Sequence, residues 1–254
     1  MQDSILLFDQ AIAKQKPNSI HRNSPCPFCR PEELARILEV RGSMMLVENK
    51  YPVLQDAYQT VLIETDECQS ELSEYPLPHL YQLIRFGVEK WMEMENNAAF
   101  RSALFFKNHG PLSGGSIRHP HMQIIGLKTI DYRENLRDEY FEGETIHREN
   151  GVAFNVSTRP MIGMTEFNVI LEDLEAIDRA ARLIQIAAHY TLHHYHGGTS
   201  SYNLFFYRWS EKIIAKIVPR FATSPLYVGY KLRQVSNHVP LIKTEIQNLY
   251  LKME

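Results

Sequence analysis

The sequence has little cysteine, little excess charge and no long apolar run. Its three cysteines are an odd number and too few for a disulfide framework. A formal net charge of -3 creates no long-range pull on polyanions, so generic nucleic-acid binding is not expected. Apolar runs such as 203–207 and 213–219 fall far short of the roughly 20 residues that cross a bilayer, so no membrane span is expected. The opening MQDSILLFDQAIAKQKP lacks a basic start and a small-residue cleavage site, which predicts a cytoplasmic location. What is present is ordinary globular composition, 44% hydrophobic and 22% charged, in a 254-residue chain long enough for one large domain or two small ones.

The chain carries signs of duplication. Placing Pro52 over Pro160 brings Val61–Glu64 (VLIE) onto Val169–Glu172 (VILE) without a gap. Each copy reads as a strand, an extended pre-proline turn, a second strand and an acidic helix start. Leu80, Leu83, Ile84, Val88 and Trp91 then recur at helical spacing, as do Ile177, Ala180, Ala181, Ile184 and Ala188. A strand pair follows each helix, over 103–106 and 122–126 in the first copy and 203–209 and 212–218 in the second. The charge-rich stretch 128–149 reads as a helical surface linker, and Val239–Met253 as a closing amphipathic helix. This predicts an α+β chain of two pseudo-duplicated units, 1–127 and 150–254, with antiparallel sheets and flanking helices.

The chemistry concentrates in Lys107–Gly126, KNHGPLSGGSIRHPHMQIIG. Gly110, Gly114 and Gly115 let a backbone approach an anion closely and aim N–H groups at it, with the Ser116 hydroxyl as a further donor. His119, His121 and Gln123 recur at period two, which on a strand places them on one face at about 7 Å intervals. Met122, Ile124 and Leu127 are left for apolar packing. An isolated His-x-His would more often be a solvent-facing pair. Beside an anion-binding loop, a rigidly held neutral imidazole can instead attack the α-phosphorus of a nucleotide. Cys26 and Cys29, in CPFC, have the spacing of a zinc pair or of a redox pair.

At this strand the sequence resembles the galactose-1-phosphate uridylyltransferase branch of the histidine-triad superfamily, in which a Gly/Ser-rich loop precedes His-Pro-His-x-Gln. Further segments carry the resemblance: CPFC at 26–29, ENKYPVL at 48–54, TDEC at 65–68 and IVPRFATSPLYVGYKL near the end. It implies two tandem histidine-triad-like units, the second degenerate, with His121 as nucleophile. Gln123 and Ser116 are the implied supporting catalytic residues. Asn49, Asn108, Gly114, Gly115, Ser116 and Gln123 would contact the nucleotide. The resemblance also completes a metal set, adding Cys68 and His119 to Cys26 and Cys29, for a structural Zn2+. Gln123 stands where hydrolytic relatives carry a third histidine. An amide there supports transfer over hydrolysis, because it hydrogen-bonds a phosphate without activating water.

The second half departs from that family. Its His-x-His is replaced by Ile214 and Lys216, so a second metal site is not expected, and Lys231 stands where an acidic residue holds the hexose. Lys216, Arg220 and Lys231 are either a basic pocket for a phosphorylated or anionic acceptor or solvated surface charges. In HYTLHHYHGG, His189 and His193 stand one helical turn apart, but a helix C-terminus capped by Gly197 accounts for them more simply.

The expected function is nucleotidyl transfer, through a covalent nucleotidyl-histidine, from a nucleotide or nucleoside diphosphate sugar to a phosphorylated acceptor. Phosphorolysis or hydrolysis of dinucleoside polyphosphates is the enzymatic alternative, and a nucleotide-binding regulatory protein the non-enzymatic one. An exposed strand edge in such duplicated folds would also allow a homodimer.

Overall fold

The computed structural model describes residues 5–21 and 25–251, arranged in two compact units. The first unit comprises Met1–Glu71 and Gln82–Asn135 and the second Leu72–Tyr81 and Leu136–Glu254. The division therefore differs from a simple sequential split. Leu72–Tyr81 groups with the second unit, where Gln185 Nε2 donates to the carbonyls of Leu72 at 3.1 Å and Tyr75 at 2.9 Å.

The first unit holds α1 (Gln10–Ala13), β1 (Ile37–Arg41), β2 (Met44–Glu48), β3 (Ala57–Ile63), α2 (Leu77–Glu95, shared with the second unit), β4 (Ser102–His109) and β5 (His121–Leu127). Its strands lie antiparallel in the order β1-β2-β3-β5-β4. The helical spacing seen in the sequence becomes the buried face of α2: Leu80, Leu83, Ile84, Val88 and Trp91 are all buried. Trp91 Nε1 donates to the Ala103 carbonyl at 2.8 Å, so its ring packs without an orphaned N–H. Gly87 interrupts this face at a cost of about 1 kcal/mol in helix propensity. A Cβ there would collide with the Phe105 ring, so the close approach of helix to sheet requires glycine.

The second unit repeats the pattern with β6 (Gly143–Glu149), β7 (Val152–Ser157), β8 (Phe167–Leu171), α3 (Ile177–His193), β9 (Tyr202–Trp209) and β10 (Lys212–Pro219), in the order β9-β10-β8-β7-β6. Helices α4 (Pro225–Tyr230) and α5 (Val239–Tyr250) follow. The duplicated α+β architecture read from the sequence is thus present, with five strands in each unit among the described residues where four were expected. Met253, the expected end of the last helix, lies outside the described residues.

Two local expectations are corrected. The stretch 128–149 is not a helical linker: it holds two short 3-10 turns and then β6, an edge strand in register with β7. At the end of α3 it is Gly198, not Gly197, that adopts positive φ, at 54°. The helix closes on His194, whose N–H donates to the Tyr190 carbonyl at 2.9 Å.

Candidate active site

The first unit opens into a cleft of about 740 Å³, counting its open mouth. Asn49, Asn108, Gly114, Gly115, Ser116, His121 and Gln123 all line it. The cross-strand register explains the convergence. Ile63 faces His121, Val61 faces Gln123, and Phe106 faces Gln123 from the other side, so one face of β5 forms the floor. Met122 and Ile124 point the other way and are fully buried.

The loop after β4 is shaped by glycine where the backbone demands it. Gly114 has φ of 86°, and at Gly115 a Cβ would meet the Asn108 Cβ at 3.2 Å. Ser113 Oγ closes the turn on the Gly110 carbonyl at 2.7 Å. The amino-terminal segment is fastened to the same loop. The amides of Ser19 and Ile20 donate to the Ser116 carbonyl at 2.8 and 3.3 Å, and the Arg118 amide donates to Ser19 Oγ at 2.9 Å.

His121 is held in a defined state. Its Nδ1 lies 2.8 Å from the His119 carbonyl, which can only accept, so Nδ1 carries the proton and the other nitrogen, Nε2, is left for chemistry. Burial pushes its pKa down to about 4, so the ring is neutral near pH 7. The Phe28 ring meets it edge-on, with centroids 5.1 Å apart.

His119 is held by the same logic. Its Nε2 lies 2.7 Å from the Thr65 carbonyl and so donates, which leaves the Nδ1 lone pair facing Cys29 Sγ at 3.6 Å. The ligand atoms of Cys26, Cys29, Cys68 and His119 all lie within 4.8 Å of one another, so the cluster can bind a metal. The donor set fits one: burial and the neighbouring thiols push Cys68 up to about 12 and raise Cys26 as well. Cys26 and Cys68 thus keep their protons unless a cation replaces them.

The three basic residues expected to hold an acceptor are not brought together. Lys216 is fully buried, with Nζ donating to Glu166 Oε2 and the Tyr140 carbonyl at 2.8 Å each and to Ser157 Oγ at 3.3 Å. Arg220 donates to Asn203 Oδ1 at 3.0 Å and lines a separate cleft of the second unit with Thr223 and Ser224. Lys231 is an exposed left-handed C-cap of α4.

Several residues of the cleft were missed. Lys16, with its pKa lowered by burial, and Lys50 line it, as do Phe28, Leu34, Val47 and Val61. Lys50 Nζ donates to the Glu33 carbonyl at 3.0 Å. The only sequence signal for Phe28 was its place inside CPFC. Nothing in the spacing marked the lysines.

This fold, two tandem α+β units built on antiparallel strands, is shared with solved structures of a phosphorylase and of uridylyltransferases. ADP-glucose phosphorylase from Arabidopsis thaliana, solved with ADP-glucose bound, matches with TM-score 0.73 at 16% identity, over 96% of this chain and 95% of that one. A uridylyltransferase structure matches with TM-score 0.72 at 18% identity, over 91% and 94%. At these identities the likeness is one of fold.

The chain belongs to the DUF4931 family. Residues 8–130 match its N-terminal domain and 133–251 its C-terminal domain, each described as a domain of unknown function. A solved DUF4931 protein from Bacillus cereus ATCC 10987 is 46% identical, with TM-score 0.79, covering 85% of this chain and 100% of that one. A local match, 33% identical over 90 residues, links 35% of this chain to 18% of a di-/tripeptide transporter from Lactobacillus helveticus. The chain thus spans under a fifth of that relative, and among the described residues no helix is long and apolar enough to cross a membrane.

Proposed function

We propose that this protein transfers a nucleoside monophosphate through a covalent nucleotidyl-His121 intermediate. The observation that carries the reading is the commitment of His121 Nδ1–H to the His119 carbonyl on the floor of a cleft lined by a glycine-rich loop. The Nε2 lone pair forms the bond to the α-phosphorus of a nucleotide or nucleoside diphosphate sugar, and the bond to the leaving phosphate breaks with its electrons on oxygen. The 114–116 amides, Ser116 Oγ and Gln123 stabilise charge on the equatorial oxygens, and Asn49 and Asn108 orient the nucleotide. An acceptor then takes the nucleotidyl group and restores the ring.

Cys26, Cys29, Cys68 and His119 would hold Zn2+ as a structural ion, fastening the amino-terminal segment to the active strand. The first unit supplies this machinery and the second is a degenerate copy. Three free thiols suit a reducing cytoplasm.

The dispersal of Lys216, Arg220 and Lys231 favours a second form of the reaction, in which orthophosphate is the acceptor. Phosphorolysis of a nucleoside diphosphate sugar or dinucleoside polyphosphate needs no separate sugar-phosphate pocket. Product analysis with and without phosphate separates the two forms.

The test of the nucleophile is His121→Gly. Turnover should disappear while nucleotide affinity stays within about tenfold, because the loop and asparagines remain. Free imidazole entering the vacated space should restore transfer. Wild-type turnover without imidazole contradicts the mechanism.

A further inference from the structure

The buried pair Lys107 and Glu64 takes no part in the transfer step, yet it lies directly behind the active strand. The two side chains are 1% and 0% exposed and bonded to each other. Successive residues of a strand alternate faces, and cross-strand partners share one. Lys107 is paired with Met122 on β5, and Glu64 follows Ile63, the partner of His121. Both therefore point to the Met122 face, opposite His121. The Glu64 amide also donates to the Pro120 carbonyl at 3.1 Å. The ion pair thus links β3 to β4 behind the His119-Pro120-His121 step.

Charges in such a place are costly to desolvate, and an apolar pair of similar volume would pack as well, so packing alone does not account for them. Their connection to the site does. Glu64 is one peptide from Thr65, whose carbonyl accepts from His119 Nε2 at 2.7 Å, and the His119 carbonyl accepts from His121 Nδ1 at 2.8 Å. We infer that Lys107 and Glu64 are positioning residues. By fixing the Glu64-Thr65 peptide and the Pro120 step, they keep Thr65, His119 and His121 in one hydrogen-bonded line that holds His121 as its Nδ1–H tautomer. The catalytic meaning rests on the transfer reading above; the tautomer does not.

Long-range 1H–15N spectra of 15N-histidine-labelled protein read the tautomer directly, with the His121 ring assigned from His121→Asn. The wild type should show the Nδ1–H pattern. Because losing one charge strands the other, the pair is replaced together, Lys107→Met with Glu64→Leu, and compared with Lys107→Arg. In the double variant His121 should become a tautomer mixture, and kcat should fall about 10- to 100-fold at nearly constant KM, while Lys107→Arg keeps the Nδ1–H pattern. An unchanged Nδ1–H pattern in the folded double variant overturns the inference. So does an Nε2–H tautomer in the wild type, a measurement that requires no variant to fold. A tautomer shift in a protein whose wild type transfers no nucleotide supports the positioning and removes the transfer reading instead.

Discussion

Lys216 separates a structural role from an acceptor-binding one, because Lys216→Met removes the charge while keeping much of the volume. In the folded protein its ammonium makes three hydrogen bonds, to Glu166, Tyr140 and Ser157, with no solvent contact. Removing it strands the Glu166 carboxylate, and stranding one member of a buried pair costs about 3–5 kcal/mol. Glu166 keeps the Met161 and Ile162 amides as donors, at 2.8 and 2.9 Å, which places the cost toward the lower end, about 3 kcal/mol. For a chain of this size that lowers Tm by roughly 6–12 °C. Lys216→Met with Glu166→Gln should recover part of the loss, since no charge is then stranded and the amide oxygen still accepts from one of the two backbone N–H groups. Thermal and urea unfolding measure the stability terms, and steady-state kinetics with varied acceptor measures KM. The double variant should keep the wild-type acceptor KM. A Lys216→Met protein within about 0.5 kcal/mol of wild-type stability but with acceptor KM raised tenfold or more would refute the reasoning.

Protein purified without added metal should carry one zinc per chain by elemental analysis, and Cys26→Ser or Cys29→Ser should lower Tm more than it alters nucleotide specificity, because lost structural metal is lost folding free energy. His119→Ala should lose metal and stability before it loses nucleotide affinity, measured by metal content and nucleotide titration of the same sample. Gly115→Ala should raise nucleotide KM several-fold with little change in Tm, since its Cβ presses on Asn108 at 3.2 Å rather than on the core. The Arg41 guanidinium holds Glu89 down at about 2, so this pair stabilises the protein fully above about pH 4.5 and loses its contribution as pH falls toward about 2. Both side chains are partly exposed, so Arg41→Gln should cost under about 1 kcal/mol at neutral pH and less in acid, read from unfolding at pH 7 and pH 3.

How much of this was legible in the sequence depended on the range of the signal. The α2 and α3 faces are periodic and local, and the Gly-rich loop with His121 and Gln123 is contiguous, so both were readable directly. The edge strand β6 was not, because only Ile146 among its residues is buried and no alternation survives in GETIHRE. Lys216 on an apolar strand invited a ligand role because its partner Glu166 lies far off in sequence and only the sheet register joins them. Lys107 and Glu64 were hidden for the same reason. Lys16 reaches the cleft because the Ser19 and Ile20 amides bind the Ser116 carbonyl, a long-range contact that no motif announces.

The central claim is a covalent nucleotidyl group on His121. Intact-mass measurement after brief incubation with nucleoside diphosphate sugars and dinucleoside polyphosphates, without acceptor or phosphate, tests it most directly. One nucleoside monophosphate should appear per chain, map to the peptide holding His121, be lost in mild acid, and be absent in His121→Asn. An adduct that persists in His121→Asn, or turnover of a donor with no adduct formed at any time, contradicts the account.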